Sequence, residues 1–528
     1  MRCLLAVAAA KRLRLSICDV ENCFQNTIIE PSQRIFITSP FRYVDWFKDR
    51  YPDTKVRESK SGKYALQTIN GMQGEKDAGA NWYLTLVRIF QDFGLNKCPA
   101  EPALFTFYEG SEQLLIVTST DDFLCAHSSD GIFYRFTEHM KKYVPITIES
   151  ASVMKYLNCR IVQTDLGVSF DQTHHIRTTI LDVWFPKDST ERLKTADTPY
   201  RTDSQFEKDM CEQLPATGDQ LVELETKYGG KFNSLIGVLL HVFQVSRYEL
   251  GFTISRLGQY NCAPNAAAFE GLRRVGRFLA THPHSPIMYP RAKFTAYTTI
   301  RWEVEPGRFI EQVISNFLAE FVDSDHARDT KTRRSISCIM AMLLGVLVDW
   351  QMGKQSCVAA HSTDAEIRAY FSGMMKNEYL RQVMEFPRVA SGEPTPIYED
   401  NQPAIDIIVA GSITARVKHM AVVIAMIKEA MAKGSHKPIK IDGRINPADI
   451  GTKPNPASTF HRNLRVGRGQ QFYPHPASEH GKLMQVELVC NRLNEFETGR
   501  VTQIDFRNIA NTAVYDHKEK HKQKSKSN

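Results

Sequence analysis

The stretch LLIVTSTDDFLCAH, Leu114 to His127, sets two acidic side chains between two apolar runs. Both runs read as strands, so Asp121 and Asp122 fall at the tight connection of a hairpin, where carboxylates project from a rigid edge. Aspartate is also a common turn former, and the pair taken alone fits a plain surface turn. A second acidic strand end changes the balance. In LRLSICDVENCF, Leu13 to Phe24, Asp19 closes an apolar run and precedes Cys23 and Phe24. Carboxylates from two strand ends can hold two Mg2+ ions ~4 Å apart, which is how phosphodiester chemistry activates an attacking 3′-oxygen and stabilises a leaving pyrophosphate.

Outward from this pair, β-like runs alternate with helical patterns such as AGANWYLTLVRIFQDFG (Ala78 to Gly94), whose apolar residues recur at three- and four-residue spacing. A length of 528 residues exceeds one ordinary domain, and a 42% hydrophobic, 24% charged composition supports a sizeable core. A mixed α/β chain with several lobes follows. The polar segments 187–217 and 281–307 read as linkers. A formal charge of +7 is a mild lean toward polyanions. The eleven cysteines form no CxxC pair, which points to reduced, intracellular usage rather than a disulfide framework or zinc ribbon. MRCLLAVAAAKRLRLS at the start reads as a soluble helix, because its apolar core is short and KRLR follows directly. The run CIMAMLLGVLVDW, Cys338 to Trp350, falls short of the ~20 residues that a membrane span needs. The lysine-rich tail 516–528 has no large apolar residue and is expected to be disordered.

The segments DVENCFQNTIIE, GEKDAGANWY, STDDFLCA, KYLNCRI with FDQTHHI, TADTP and LIGVLLHVFQVSR occur in a fixed order. In that order and at about that spacing they resemble the reverse transcriptase of copia-type (Pseudoviridae) LTR retrotransposons. The resemblance implies a palm in which Asp19, Asp121 and Asp122 are the catalytic, metal-binding triad and Val20 offers a backbone carbonyl. It further implies that Phe24 lies under the sugar of the incoming nucleotide. Gly74 and the AGANWY run, with Trp82, would lie near the template and nucleotide. Where the family commonly has an aromatic residue two places before its aspartate pair, this chain has Ser119 and Thr120. It begins about where the family's palm begins, so the N-terminal fingers are expected to be largely missing.

A second acidic set lies downstream, at Asp323, Glu366, Asp400 and Asp449. Asp323 and Asp400 each end or follow an apolar run, as strand-borne carboxylates do, while Glu366 opens a helical pattern whose first turn accepts an acid cheaply. Singly, each fits an ordinary surface acid. KQSCVAAHSTDAE and YEDNQPAI, however, resemble the family's ribonuclease H domain. That likeness implies four catalytic carboxylates holding two Mg2+, with Mn2+ the alternative ion, to cut the RNA of an RNA–DNA hybrid. Asp325 and Asp364 are close neighbours less suited to be ligands. Lys418 and His419 in RVKHM match a recurrent family patch, a hybrid or loop contact, and a structural histidine fits equally. His174 and His175 lack metal-ligand spacing with a third residue and read as structural. Arg273, Arg274 and Arg277 fit either a solvated face or a surface that tracks a hybrid backbone.

The expected architecture is a multidomain α+β or mixed α/β chain. It comprises an N-terminally truncated palm (1–200), a thumb or connection region (201–310), a ribonuclease H-like domain (311–475) and an extension with a basic tail (476–528). The implied function is RNA-directed DNA polymerase with ribonuclease H activity, acting on an RNA template, a DNA primer, dNTPs and the RNA–DNA hybrid. No membrane is involved, and the implied location is intracellular, in cytoplasmic virus-like particles or the nucleus. The alternative is a truncated or decayed, inactive copy that retains only nucleic-acid or protein binding.

Overall fold

The computed structural model describes residues 1–27, 29, 36–38, 42–53, 65–185, 194–291, 297–305, 307–329, 332–389, 392–411, 413 and 415–469. The extension 476–528 and its basic tail lie outside the described residues. The chain divides into two compact units: Arg14–Ser150, and Met1–Leu13 together with the residues from Ala151 onward. These divisions fall at residues 13/14 and 150/151, whereas the sequence reading drew its first boundary at residue 200.

In the unit Arg14–Ser150 the hairpin read from Leu114–His127 is present: strand Glu112–Ser119 turns at Thr120 and Asp121 into strand Asp122–His127. Strand Arg14–Val20 pairs antiparallel with Asp122–His127 and sits inside a six-stranded antiparallel sheet. Helix Ala78–Phe93 buries Ala78, Trp82, Leu86, Ile89 and Phe90, the three- and four-residue spacing seen in its sequence. Phe90 is the hub of this core. Its ring meets Phe105, Phe123 and Phe136 edge-on at 4.9, 5.5 and 5.6 Å, which joins the helix to the sheet and to helix Asp130–Lys141.

The other unit holds the N-terminal helix Arg2–Lys11, as the sequence suggested, and a group of helices between Ser204 and Thr281. Two segments read as linkers contain ordered elements. Within 187–217, helix Ser204–Glu212 is capped by Asp203, which accepts from the Phe206 N–H at 2.9 Å, and it buries Phe206 and Met210. Within 281–307, Ile287–Pro290 is a buried edge strand of a four-stranded sheet, and Tyr297–Glu305 pairs with Arg308–Ser315. Only one pair of apolar residues four apart marks the short helix, too little for the pattern to stand out among polar neighbours.

Within this unit, a five-stranded mixed sheet runs in the order Val346–Lys354, Ile336–Leu343, Ala319–Ser324, Thr395–Glu399, His436–Lys440. The first three strands are antiparallel and the last three parallel. The apolar run Cys338–Trp350 thus spans two adjacent strands of this sheet. One face is covered by the long helix Ser362–Glu385, through Ile367, Tyr370 and Met374 against Val322, Ile339 and Ile397. Gly451, in the turn Pro447–Gly451, packs against the other face: a Cβ there would lie 2.6 Å from Cys338 Sγ. No helix of the described residues is long and apolar enough to cross a membrane.

Candidate functional site

Asp19 and Asp122 are direct partners in the antiparallel register of their strands, and Asp121 lies in the turn immediately before. The Val20 N–H donates to the Asp121 carbonyl at 3.0 Å, which ties the turn to the end of the Asp19 strand. Thr120 adopts a left-handed conformation, φ 54°, unusual for a β-branched residue. The Trp82 indole donates to the Thr120 carbonyl at 2.7 Å. Burial raises the carboxyl pKa of both Asp19 and Asp122, the Asp121 charge raises them further, and their side chains share a hydrogen bond.

The partners expected around this triad separate into two kinds. Phe24, in the short turn Cys23–Asn26, is half-buried against the sheet core, and its carbonyl lies so close to Gly71 that a Cβ there would approach it to 2.7 Å. Gly74 has φ 88°, a conformation that suits glycine, with open space around its Cα. Val20 is buried at the strand end. Trp82 departs from expectation. At 1% exposure it cannot face a template or nucleotide, and it acts on the triad through the Thr120 carbonyl.

In the other unit the second acidic set comes together at one sheet edge. The parallel register Glu320–Ile397 and Phe321–Tyr398 brings the ends of two strands side by side, so Asp323, near the end of one, emerges beside Asp400, just past the end of the other. Glu366 reaches the same edge from the second turn of helix Ser362–Glu385. The first-turn acid of that helix is Asp364, not Glu366, and the cap is His361, whose Nδ1 accepts from the Asp364 N–H at 3.2 Å. One oxygen from each of Asp323, Glu366 and Asp400 lies within 4.8 Å of the others; among the described residues no other three potential ligands gather so closely, Asp19, Asp121 and Asp122 included. Asp449 completes the group through a hydrogen bond with Asp323.

Crowding of acids in a dry setting raises their pKa values. Burial and then Asp449 push Asp323 up to about 7, and burial and then Asp323 push Asp400 up to about 6. Glu366 is raised well above the usual carboxylate range by burial and then by Glu399. Its Oε2 is buried and accepts no hydrogen bond, as is true of Glu399 Oε2. Unsatisfied, all-oxygen donors of this kind fit a hard divalent cation.

Several contributors escaped the sequence reading. Glu399 is wholly buried, and its other oxygen accepts from the Asn401 N–H at 2.8 Å. Asn446 donates to the Val322 carbonyl at 2.9 Å and accepts from the Ala448 N–H at 3.1 Å, so it anchors the turn that carries Asp449. Thr452 donates to Asp323, and Lys453 pairs with Asp449 at 2.6 Å. The motif INPADIGTKP contains all but Glu399, and the spacing of its polar residues around Asp449 was the available signal.

Asp364 is saturated by the Ala360 N–H, Arg368 and His419 at 2.8, 2.8 and 3.0 Å, and Asp325 accepts from the Ile336 N–H at 2.5 Å. Asp364 is thus held on all sides within the fold, whereas Asp325 Oδ2 is buried without a hydrogen-bond partner. His419 joins Asp364, and Lys418 beside it is exposed. The three arginines form no open basic face. Arg273 donates to the Trp184 carbonyl at 3.0 Å, Arg274 to Thr198 at 3.1 Å and Arg277 to Glu270 at 2.7 Å.

Residues 1–190 match the family described as reverse transcriptase (RNA-dependent DNA polymerase). Over 467 residues the chain is 23% identical to the Retrovirus-related Pol polyprotein from transposon RE2 of Arabidopsis thaliana, covering 86% of this chain and 27% of that protein. The Retrovirus-related Pol polyprotein from transposon TNT 1-94 of Nicotiana tabacum is 20% identical over 464 residues, 87% of this chain and 31% of that protein. Over most of its length the chain is similar to the Pol polyproteins of copia-type retrotransposons. It spans less than a third of the length of these Pol relatives. A shorter relative, the Putative transposon Ty5-1 protein YCL074W of Saccharomyces cerevisiae, is 22% identical over 352 residues, 66% of this chain and 96% of that protein. The reverse transcriptase match includes Asp19, Asp121 and Asp122 and ends at residue 190, before the second acidic set.

Proposed function

We propose that the chain is an RNA-directed DNA polymerase with a separate ribonuclease H site. The palm lies within residues 1–200, the thumb or connection within 201–310 and the hydrolytic domain within 311–475. The observation that carries this reading is that each acidic set assembles at strand ends inside its own unit. In the first, Asp19 and Asp122 face each other across paired strands while Asp121 occupies the turn, and these three would hold Mg2+ beneath a primer 3′-end and a dNTP. Phe24, in the turn Cys23–Asn26 that follows the Asp19 strand, is the candidate sugar contact, and Gly74 the candidate opening of the backbone toward template and nucleotide.

In the second, Asp323, Glu366, Asp400 and Asp449 would hold the metal. When bound, divalent ions supply a Lewis acid that activates water and neutralises charge at the scissile phosphate of an RNA–DNA hybrid. The protein's part is to gather the carboxylates and fix their angles. Thr452 holds Asp323 in place, Asn446 orients the Asp449 turn, and the Asp364–His419 pair ties the Lys418 segment to the base of the Glu366 helix. Lys418 is then the candidate hybrid-backbone contact, with His419 holding its segment in place.

The test runs two assays on the purified chain with Mg2+. Glu366→Gln is expected to abolish hybrid cleavage and spare primer extension, and Asp121→Asn with Asp122→Asn to do the reverse. Equal loss of both activities in either protein would sink the two-site reading. A wild-type chain that binds hybrid but turns over neither substrate would establish an inactive copy instead. The features that favour that outcome at the first site are Ser119 and Thr120 in place of an aromatic residue, and three carboxylates less tightly gathered than those of the second site.

A further inference from the structure

The second acidic cluster carries its own cation. Five carboxyl groups, those of Asp323, Glu366, Glu399, Asp400 and Asp449, influence one another there. Among the described residues, the lysine or arginine ion-paired with a member of the group is Lys453, its Nζ 2.6 Å from Asp449 Oδ1. The ammonium acts on Asp449 both as a neighbouring positive charge and as a hydrogen-bond donor. Lys453 stands four residues after Asp449 in a loop wound around the Asp449 carbonyl. That oxygen accepts from the Thr452 and Lys453 N–H groups at 3.4 Å each and from Asn455 Nδ2 at 2.9 Å. The backbone from which the lysine departs is therefore fixed by the same residue that its head group neutralises.

Two further observations complete the picture. Glu366 Oε2 and Glu399 Oε2 remain buried without partners, so one ammonium at the Asp449 side leaves part of the cluster unsatisfied. The Lys453 side chain is 41% exposed whereas that of Asp449 is 8% exposed, so the lysine has a route to solvent that its partner lacks. A long, flexible lysine stem makes such a movement cheap.

We propose that Lys453 is an internal counter-cation for the metal site: its ammonium occupies the Asp449 side of the cluster in the metal-free protein and swings to solvent as a divalent ion enters. This rests on the metal-site reading above. Lys453 thereby stabilises the empty site and lowers its affinity for metal, acting as a positioning residue that sets how much free ion is needed to fill it. Removing one partly exposed charge from beside the ion predicts a gain in affinity on the order of tenfold, after allowance for solvent screening.

The experiment is calorimetric titration of Mn2+ into the full chain carrying D121N and D122N, which removes the first acidic set as a competing metal site, comparing this parent (the wild type for Lys453 and Glu366) with its K453M, K453Q and E366Q variants, with melting temperatures in EDTA and in saturating Mn2+. Both Lys453 variants are expected to bind Mn2+ about tenfold more tightly, to melt lower than wild type in EDTA, and to recover the wild-type melting temperature when loaded; E366Q is expected to lose binding. Unchanged or weaker Mn2+ affinity in folded K453M and K453Q, with binding still lost in E366Q, would overturn the counter-cation role and leave the metal site standing. Absence of Mn2+ binding in every protein, the Lys453 variants included, would overturn the metal-site reading and this inference together.

Discussion

Trp82 and Thr120 are joined by a hydrogen bond of 2.7 Å from the indole Nε1 to the backbone carbonyl, and that carbonyl belongs to the residue just before Asp121. The link runs from a helix in the core to the tip of the hairpin. Trp82→Phe keeps most of the buried ring and removes the donor, so it leaves a carbonyl without its partner and a small void. The expected cost is about 1–3 kcal/mol, read from the urea midpoint. Primer extension is expected to fall by more than in a variant such as Leu86→Val, which trims the same helix face without touching the turn. Equal losses would show that Trp82 only fills space.

The pH dependence of the metal-free protein has a definite sign at the second site. Asp323 and Asp400 are raised to about 7 and about 6, above the ordinary aspartate value of roughly 4. Between roughly pH 4 and 7 the folded state therefore binds protons that the unfolded chain has released, and stability falls as pH rises through this window. Half-buried His284 and buried His436, both lowered to about 4, work in the opposite direction up to the ordinary histidine value of roughly 6.5. Comparing wild type with Asp323→Asn separates the two: melting temperatures in EDTA from pH 5 to 8 should decline less steeply in the variant. Parallel curves would mean that Asp323 is not protonated in the folded state.

Asp364 is wholly buried and bound on three sides, by the Ala360 N–H, Arg368 and His419. Asp364→Ala strips the partner from all three and leaves a gap at the start of the Glu366 helix. A loss of about 3 kcal/mol in unfolding free energy is expected, with hybrid cleavage reduced in proportion to the misplacement of Glu366. A change under about 0.5 kcal/mol would show that these bonds contribute no net stability.

Gly451 has no room for a side chain. A Cβ would sit 2.6 Å from Cys338 Sγ and 2.7 Å from Met352 Sδ. Gly451→Ala must push the turn away from the sheet, at about 1–3 kcal/mol, and Asp449 lies two residues away on that turn. Adding Cys338→Ala should restore part of the loss in a double-mutant cycle; strict additivity would place the strain elsewhere.

The first acidic set was legible because its signal is local. LRLSICDV and the two halves of LLIVTSTDDFLCAH are short apolar runs bounded on one side by acids, and each became a strand with an end at or beside them. The partnership of Asp19 with Asp122 was not legible, since nothing in a single strand says which strand will lie beside it. The helix around Trp82 was readable from its periodicity, whereas the role of Trp82 was not: an aromatic residue in a motif looks alike whether it faces ligand or core. Arg273, Arg274 and Arg277 illustrate the same gap, because their carbonyl and hydroxyl partners come from segments far away in the chain and the carboxylate from two turns earlier on the same helix face.

What the sequence by itself determined is the inventory: which runs become strands and helices, and where carboxylates stand at their ends. Periodicity and end residues act over a few positions, so they are written in the local order of side chains. The tertiary structure alone decided the juxtapositions. Glu399 acquired significance only when a parallel strand pair brought it beside the Asp323 edge, and Lys453 only when the loop around the Asp449 carbonyl turned its stem toward the acids. Electrostatic interaction depends on distance and burial, and both are set by the pairing of segments widely separated in the chain.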